Sequence, residues 1–444
     1  GVYRLPPGNK VTGTIKGLRV SEYWAPQLGP HPGPMSDDDW REGFLETFSS
    51  AVEERLRSPV GRVGSMLSGG IDSGSVAAIA NDFLKARGEH PIRTFSAAQP
   101  PSIDCAESQR IRASIDYLGA TGTQIFPDDI AGLDDELHAS IEEPYDASFL
   151  FMRAIFHAAA KDGMQALLDG GSGDVVLNEG SYVIRLARRG HVARAFHEVI
   201  AGQSFWEDSS VVPEMARLTA RAMIPEFLKS AIRPYRQRRD ARHFVSTSLI
   251  SSELAELTNI AERCESMYEM FPTDWTSFDH ERLRKIRPNV TAGRERYARL
   301  AASAGMEARD PFLDRRLVDF CAHLPGHLLV RDGLPKAILR DVMADRLPAE
   351  VCRGKGRPHI GWVFTHKFLE REKSRGNLTQ TGLTEALAGY VDSNRLDRAW
   401  STFENGIDAG PIHTAYVLCL WLRQTASRPV VKNQPFGYSS AIEQ

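Results

Sequence analysis

Short apolar runs alternate with amphipathic stretches through residues 41–178, and the alternation is regular enough to assign elements. Residues 63–67, Val-Gly-Ser-Met-Leu, form a mostly apolar run that predicts a buried strand. Residues 75–84 follow as a predicted helix, with Val76, Ile79 and Phe83 along one side. Residues 92–97 read as a strand, 105–118 as a helix, 123–126 as a short strand, 148–161 as a helix and 165–168 as another buried strand. Ahead of them, Asp37 to Asp39 can cap a helix running to about Leu56, with Phe44, Phe48 and Val52 on one face. Strands alternating with helices predict an α/β fold whose parallel sheet is covered on both faces. In such sheets ligands sit beyond the carboxyl ends of the strands, where Ser68 and Asp169 both fall.

The remaining chain divides by pattern. Residues 1–40 carry Gly and Pro and little helical period, and read as a lead-in. Residues 179–290 are helical in pattern and rich in arginine. Arg185, Arg188, Arg189 and Arg194 are expected on one helix, and a basic run occupies 233–242. Such runs are usually solvated faces, with a substrate role as the sharper reading. Residues 291–425 are also expected to be helical; Lys336 and Arg340 fall there and read as solvated helix positions. Residues 426–444 read as a loose tail.

Composition narrows the class. The chain has 444 residues, enough for two or three domains, with 42% apolar and 25% charged side chains, as in ordinary globular proteins. A formal net charge of −3 gives no electrostatic case for nucleic acid. The five cysteines are isolated, with no C-x-x-C pair, which points to reduced thiols and a cytoplasmic location. There is no run of 18 apolar residues, so no membrane association is expected. The chain starts at Gly1, so an upstream part is expected to be missing or separate.

The chemistry-bearing stretch is Ser68-Gly69-Gly70-Ile71-Asp72-Ser73, between the first predicted strand of the sheet and its helix. Glycines let the backbone approach an anion, and the helix start points free N–H groups at it. Ser68 and Ser73 add hydroxyls, and Asp72 is a hard oxygen ligand suited to Mg²⁺. No lysine follows the second glycine, so this is not a Walker-type loop. A second glycine turn, Asp169-Gly170-Gly171-Ser172-Gly173-Asp174, follows the strand at 165–168 and offers Asp174 as a second Mg²⁺ ligand.

The first loop resembles the pyrophosphate loop of ATP pyrophosphatases. The chain as a whole resembles the synthetase domain of the asparagine synthetase family, including its divergent lasso-peptide macrolactam synthetases. The resemblance runs through residues 1–8 with Tyr23-Trp24, the loop at 68–73, Thr94-Phe95-Ser96, Asp104 to Glu107, the turn at 169–174, Glu307 to Asp314, and Lys355 within Arg353-Gly-Lys-Gly-Arg357. It implies a parallel-sheet ATP pyrophosphatase domain over 41–178, continued by a mostly helical region. It also implies ATP held by Leu67, Ser68, Gly69, Gly70, Asp72, Ser73, Ser96 and Gly170, with Mg²⁺ on Asp72 and Asp174.

The implied reaction is a two-step ligation. A carboxylate attacks the α-phosphate of ATP, and an amine then displaces AMP from the acyl-adenylate. Lys355 is the candidate for stabilising the developing negative charge, while Arg309 and Asp314 are expected to brace the helical half. The resemblance also exposes departures. Gly171 stands where asparagine synthetases carry a catalytic glutamate and β-lactam synthetases a tyrosine, and Val175 replaces a further glutamate. The base must come from elsewhere, with Glu143 and Asp169, or the substrate itself, as candidates. Together with the expected separation from a glutaminase domain, this favours a peptide substrate and macrolactam formation. The alternatives are a glutamine-dependent asparagine synthetase using aspartate, a tRNA-modifying ATP pyrophosphatase, and a non-catalytic partner subunit. The protein's partners would be ATP, a carboxylate or peptide, and a glutaminase domain or separate biosynthetic subunit.

Overall fold

A computed structural model describes residues 5–426, apart from 27–32, 34, 59–61, 134–135, 138–141, 145–148, 181, 207–225, 270–287 and 355–359. An antiparallel ribbon, β1 (Asn9–Thr14) with β2 (Gly17–Glu22), leads into helix α1 (Asp37–Arg55). Ser36 caps that helix reciprocally with Asp39, and the acidic first turn suits the helix dipole. Then come β3 (Val63–Met66), α2 (Ile71–Ala86), β4 (Arg93–Ala97), α3 (Ala106–Leu118) and β5 (Thr121–Ile125). Helix Leu150–Lys161 leads to β6 (Ala166–Leu168). The alternation expected from the sequence is present, with boundaries shifted by a few residues.

The central sheet is parallel, in the order β5-β4-β3-β6-β7. Its fifth strand, β7 (Glu307–Arg309), lies within the stretch read as helical. Glu-Ala-Arg has neither apolar alternation nor length, so nothing in its pattern announces a strand; pairing with β6 makes it one. From β3 the chain builds outward through β4 to β5, then returns to place β6 on the other side of β3. The switch point lies between β3 and β6, where the two glycine turns emerge.

Apolar residues fill both faces. On one, Phe44, Phe48 and Val52 of α1 meet Val76 and Ile79 of α2 and Phe312. The Phe48 and Phe312 rings stand 4.9 Å apart. On the other, Phe156 of helix Leu150–Lys161 meets Phe95 and Leu167 of the sheet and buried residues of helices Gly361–Ser374 and Gly410–Ala426. Arg309 donates to the carbonyls of Arg55 and Arg57, and Asp314 pairs with Arg55, which ties β7 and its continuation to α1. Burial opposes ionisation of Asp314, but hydrogen bonds from Arg316 and Arg55 win and hold its carboxyl down at about 2.

The arginines expected on one helix are split between two, with Arg189 in the turn that separates them. Helix Tyr182–Arg188 ends at Gly190, whose φ of +82° suits glycine, and Arg194 belongs to helix Val192–Trp206. The basic run sits in helix Glu226–Thr247, where Arg236, Arg238 and Arg239 are exposed and the last two pair with Glu265 and Asp240. Of the expected tail at 426–444, Ala426 ends helix Gly410–Ala426 and residues 427–444 lie outside the described residues. A short hairpin, β8 (Val330–Arg331) and β9 (Leu334–Pro335), precedes helix Ala337–Val342.

Candidate active site

The first glycine turn leaves β3 and closes on itself before α2. Ser68 donates its backbone N–H to Ser73 Oγ at 3.0 Å, and the Ser68 and Ser73 hydroxyls are 2.9 Å apart. Gly69 has φ +73°, and a Cβ there would stand 2.6 Å from the carbonyl of Glu107. Only glycine fits that approach to α3. Gly70 caps α2 with extended backbone and no side chain, so the N–H groups of the helix start face the turn.

The second turn, after β6, presses against the first. A Cβ on Gly173 would lie 2.5 Å from Asp72 Cγ, and one on Gly170 would lie 2.5 Å from the backbone N of Ser73. The missing side chains are what let Asp72 and Asp174 approach each other. Between them stands an unexpected cation. Lys336 Nζ is 2.5 Å from Asp72 Oδ2 and 2.7 Å from Asp174 Oδ1. The lysine read as solvated is therefore buried, its side chain 10% exposed. It escaped the sequence because the reading placed it on a helix. It is the left-handed residue just before helix Ala337–Val342, φ +60°, delivered by the β8–β9 hairpin. The signal available was Asp332-Gly333, a tight-turn pair followed by Pro335.

Burial works against the charge of Lys336, but Asp72 and Asp174 outweigh it and raise its pKa. For Asp72, burial outweighs the pull of Lys336 and, with the Asp174 carboxylate adding to it, leaves the carboxyl raised. These opposing pressures on one contact are best resolved as an ion pair, because the ammonium has two carboxylates to satisfy it. Asp72 Oδ1 is buried and has no hydrogen-bond partner among the described residues. A buried oxygen without a protein partner fits a metal or phosphate-bearing ligand. Among the described residues no three His, Cys, Asp or Glu side chains converge as a metal site. Two carboxylates would thus need further oxygens from a ligand. On β4, Ser96 is fully buried and its Oγ lacks a described partner.

The other candidates fall in separate places. Asp169 is held by both nitrogens of Arg294 at 2.9 Å each, and its Oδ1 accepts the N–H of Gly171. Both of its oxygens are engaged in that clamp. Glu143 pairs with Arg299 at 3.0 Å and is 43% exposed. Gly171 is exposed, as a turn tip without a side chain. Leu67 is buried behind the first turn. Lys355 lies outside the described residues. Its flanks do not: Glu107 accepts the backbone N–H of Ile360, and a Cβ on Gly354 would stand 3.1 Å from the Arg110 guanidinium carbon. Burial pushes the Glu107 carboxyl up to about 7. Both moorings are on α3, whose first turn also braces Gly69.

The model of the asparagine synthase family matches residues 43–423. The chain belongs to that family. A relative in Bacillus subtilis (strain 168), "Asparagine synthetase [glutamine-hydrolyzing] 3", is 22% identical over 369 residues, covering 81% of this chain and 54% of the relative. The chain thus spans about half the length of the relative it matches. The asparagine synthase match includes both glycine turns, β7, Lys336 and Lys355, so the sheet and the carboxylate–lysine cluster belong to one family domain. Among the described residues no helix is long and apolar enough to cross a membrane.

Proposed function

We propose that this chain is an ATP-dependent, AMP-forming amide ligase. The observation that carries the reading is the convergence of Asp72 and Asp174, from two interlocked glycine turns, on a single cation position at the sheet's switch point. The phosphates of ATP would lie along Ser68, Gly69, Gly70 and Ser73, with Leu67, Ser96 and Gly170 lining the nucleotide side. Asp72 and Asp174 would hold Mg²⁺, which would supply the positive charge that the pyrophosphate leaving group requires.

A substrate carboxylate oxygen attacks the α-phosphorus, and the bond from that phosphorus to the β-phosphate bridge breaks. Pyrophosphate leaves and an acyl-adenylate remains. An amine then attacks the acyl carbon, loses a proton, and AMP departs. Charge grows on the α-phosphate in the first step and on the carbonyl oxygen in the second. Lys355 is the residue proposed to meet it, and the moorings of its segment on α3 support that role. Glu143 is the proposed proton acceptor: though paired with Arg299, its carboxylate is 43% exposed, whereas Asp169 is 4% exposed and gripped at both oxygens by Arg294.

The acceptor proposed is a peptide, closed into a macrolactam. Exposed Gly171 supports it, since the turn presents no side chain to crowd a bulky substrate. A second reading, asparagine formation from aspartate, is favoured by the relative's name. The test supplies ATP and Mg²⁺ with aspartate and ammonium, then with linear precursor peptides from the genomic neighbourhood. Loss of one water from a peptide, with AMP, supports the first reading. Asparagine with AMP, and no peptide product, replaces it with the second.

A further inference from the structure

We infer that Lys336 is a placeholder: its ammonium fills the gap between Asp72 and Asp174 in the metal-free protein and yields it only to a metal that arrives with nucleotide phosphates. The inference rests on the reading of those two carboxylates as metal ligands. At 2.5 and 2.7 Å, Nζ occupies the position from which one cation can reach both carboxylates. A dication drawn to the same oxygens would stand in contact with the ammonium, with little water between to screen them. The two cations exclude each other.

The backbone shows that the lysine is put there by its surroundings. A non-glycine residue at φ +60° is held against its own preference. The turn at Asp332 and Gly333, with φ +52° and +70°, sets the hairpin. The N–H of Gly333 donates to Glu198, and Arg340 donates to the carbonyls of Pro335 and Cys352 on either side. With the main chain fixed, release needs only rotation of a flexible four-carbon stem. The benefit is preorganisation. Without the ammonium, the two carboxylates would lose the cation they share, with Arg340 still acting on Asp72, and the interlocked turns would be held less firmly in register. Free Mg²⁺ gains little by entering, because two carboxylates leave most of its coordination unfilled. Nucleotide phosphates complete the shell and tip the exchange.

The experiment titrates Mn²⁺ into the nucleotide-free full chain and follows bound ion by paramagnetic resonance. Wild type is compared with Lys336→Met and with Lys336→Gly, which suits the left-handed backbone. Both variants should bind Mn²⁺ roughly tenfold or more tightly than wild type, because the competing charge is gone. They should also melt below wild type without metal and recover when Mn²⁺ is added. Adding Asp72→Asn to Lys336→Gly should erase the gain. Equal or weaker Mn²⁺ binding in the variants, or a gain that survives Asp72→Asn, overturns the inference. Binding of a non-hydrolysable ATP analogue to wild type, with and without Mg²⁺, separates the two levels. If Mg²⁺ promotes that binding but the variants gain no Mn²⁺ affinity, only the placeholder fails. If Mg²⁺ has no effect on it, the proposed function fails first.

Discussion

Two cations, the half-buried Arg294 and the buried Lys336, flank the second glycine turn, and each spans two carboxylates. Arg294 grips Asp169 with both ends of its fork, lies 3.6 Å from Asp310, and stacks its guanidinium 4.8 Å from the Tyr297 ring centre. The Tyr297 hydroxyl in turn donates to Met66 Sδ at 2.8 Å. Lys336 meets Asp72 and Asp174 as a point charge at the end of a flexible stem. The chemistry of the two side chains separates the roles. A planar fork with fixed geometry and an aromatic face beneath it is a permanent clamp, while an ammonium is exchangeable. Electrostatics agree. Burial and the Asp169 carboxylate push Asp310 up, so the Arg294 side already carries more acid than its cation balances. A groove of about 560 Å³ beside β7 is lined by Arg294 and Asp310 and by neither Asp72 nor Lys336. The two clamps therefore open onto different surroundings.

The largest effect should come from breaking the permanent clamp. Arg294→Ala leaves Asp169 buried without its partner and should cost about 3–5 kcal/mol in urea unfolding. Arg294→Lys should recover only part, since it loses the fork and the stacking. Full recovery by lysine would erase the distinction between the two clamps.

A third cation, Lys355, belongs to the proposed mechanism. Lys355→Ala should lower turnover by about 10²–10³ with little change in nucleotide affinity, as expected for a charge used in the transition state. Unchanged single-turnover rates would remove Lys355 from the mechanism.

The mooring of its segment makes a smaller, pH-dependent prediction. The Glu107 carboxyl sits at about 7 in the folded protein, against roughly 4.3 when unfolded. The folded state thus binds the proton more tightly, so this stabilisation is complete at low pH and is lost as pH rises from about 4.3 to about 7. Glu107→Gln lacks that loss. Relative to wild type it should gain on the order of 1–3 kcal/mol between pH 5 and 8, after allowance for partial exposure. Parallel stability–pH curves would show that Glu107 ionises normally.

The smallest effect is at the turn between the clamps. A Cβ at Gly171 would meet Asp169 Oδ1 at 3.0 Å and Arg294 Nη1 at 3.4 Å. Gly171→Ala should shift stability by about 1 kcal/mol or less, read as a change in melting temperature. A severe loss would mean that the Arg294 clamp cannot give by a few tenths of an ångström.

The legible parts of the chain were those where local pattern and tertiary role coincide. The loop at 68–73 carries its own signature of strand, glycines and helix, and its neighbour at 169–174 carries another. Their order along the chain is enough to bring both to one sheet edge. β7 was not legible because three residues hold no period and become a strand only beside β6. Lys336 was not legible because its position depends on a hairpin turn rather than on the helix that follows. Its role comes from carboxylates more than 160 residues away in sequence. The arginines at 185–194 were misjudged over one glycine, where a left-handed residue ends a helix that the charge pattern alone would continue.

The account turns on whether Asp72 and Asp174 form one metal site for the nucleotide. The direct measurement is calorimetric binding of a non-hydrolysable ATP analogue, with and without Mg²⁺, to wild type, Asp72→Asn, Asp174→Asn and the double variant. Mg²⁺ should tighten binding to wild type. Either substitution should abolish most of that increment, and the double variant should lose little more, because both side chains serve one ion. A Mg²⁺ increment that survives in Asp72→Asn, or losses that simply add in the double variant, would contradict the account.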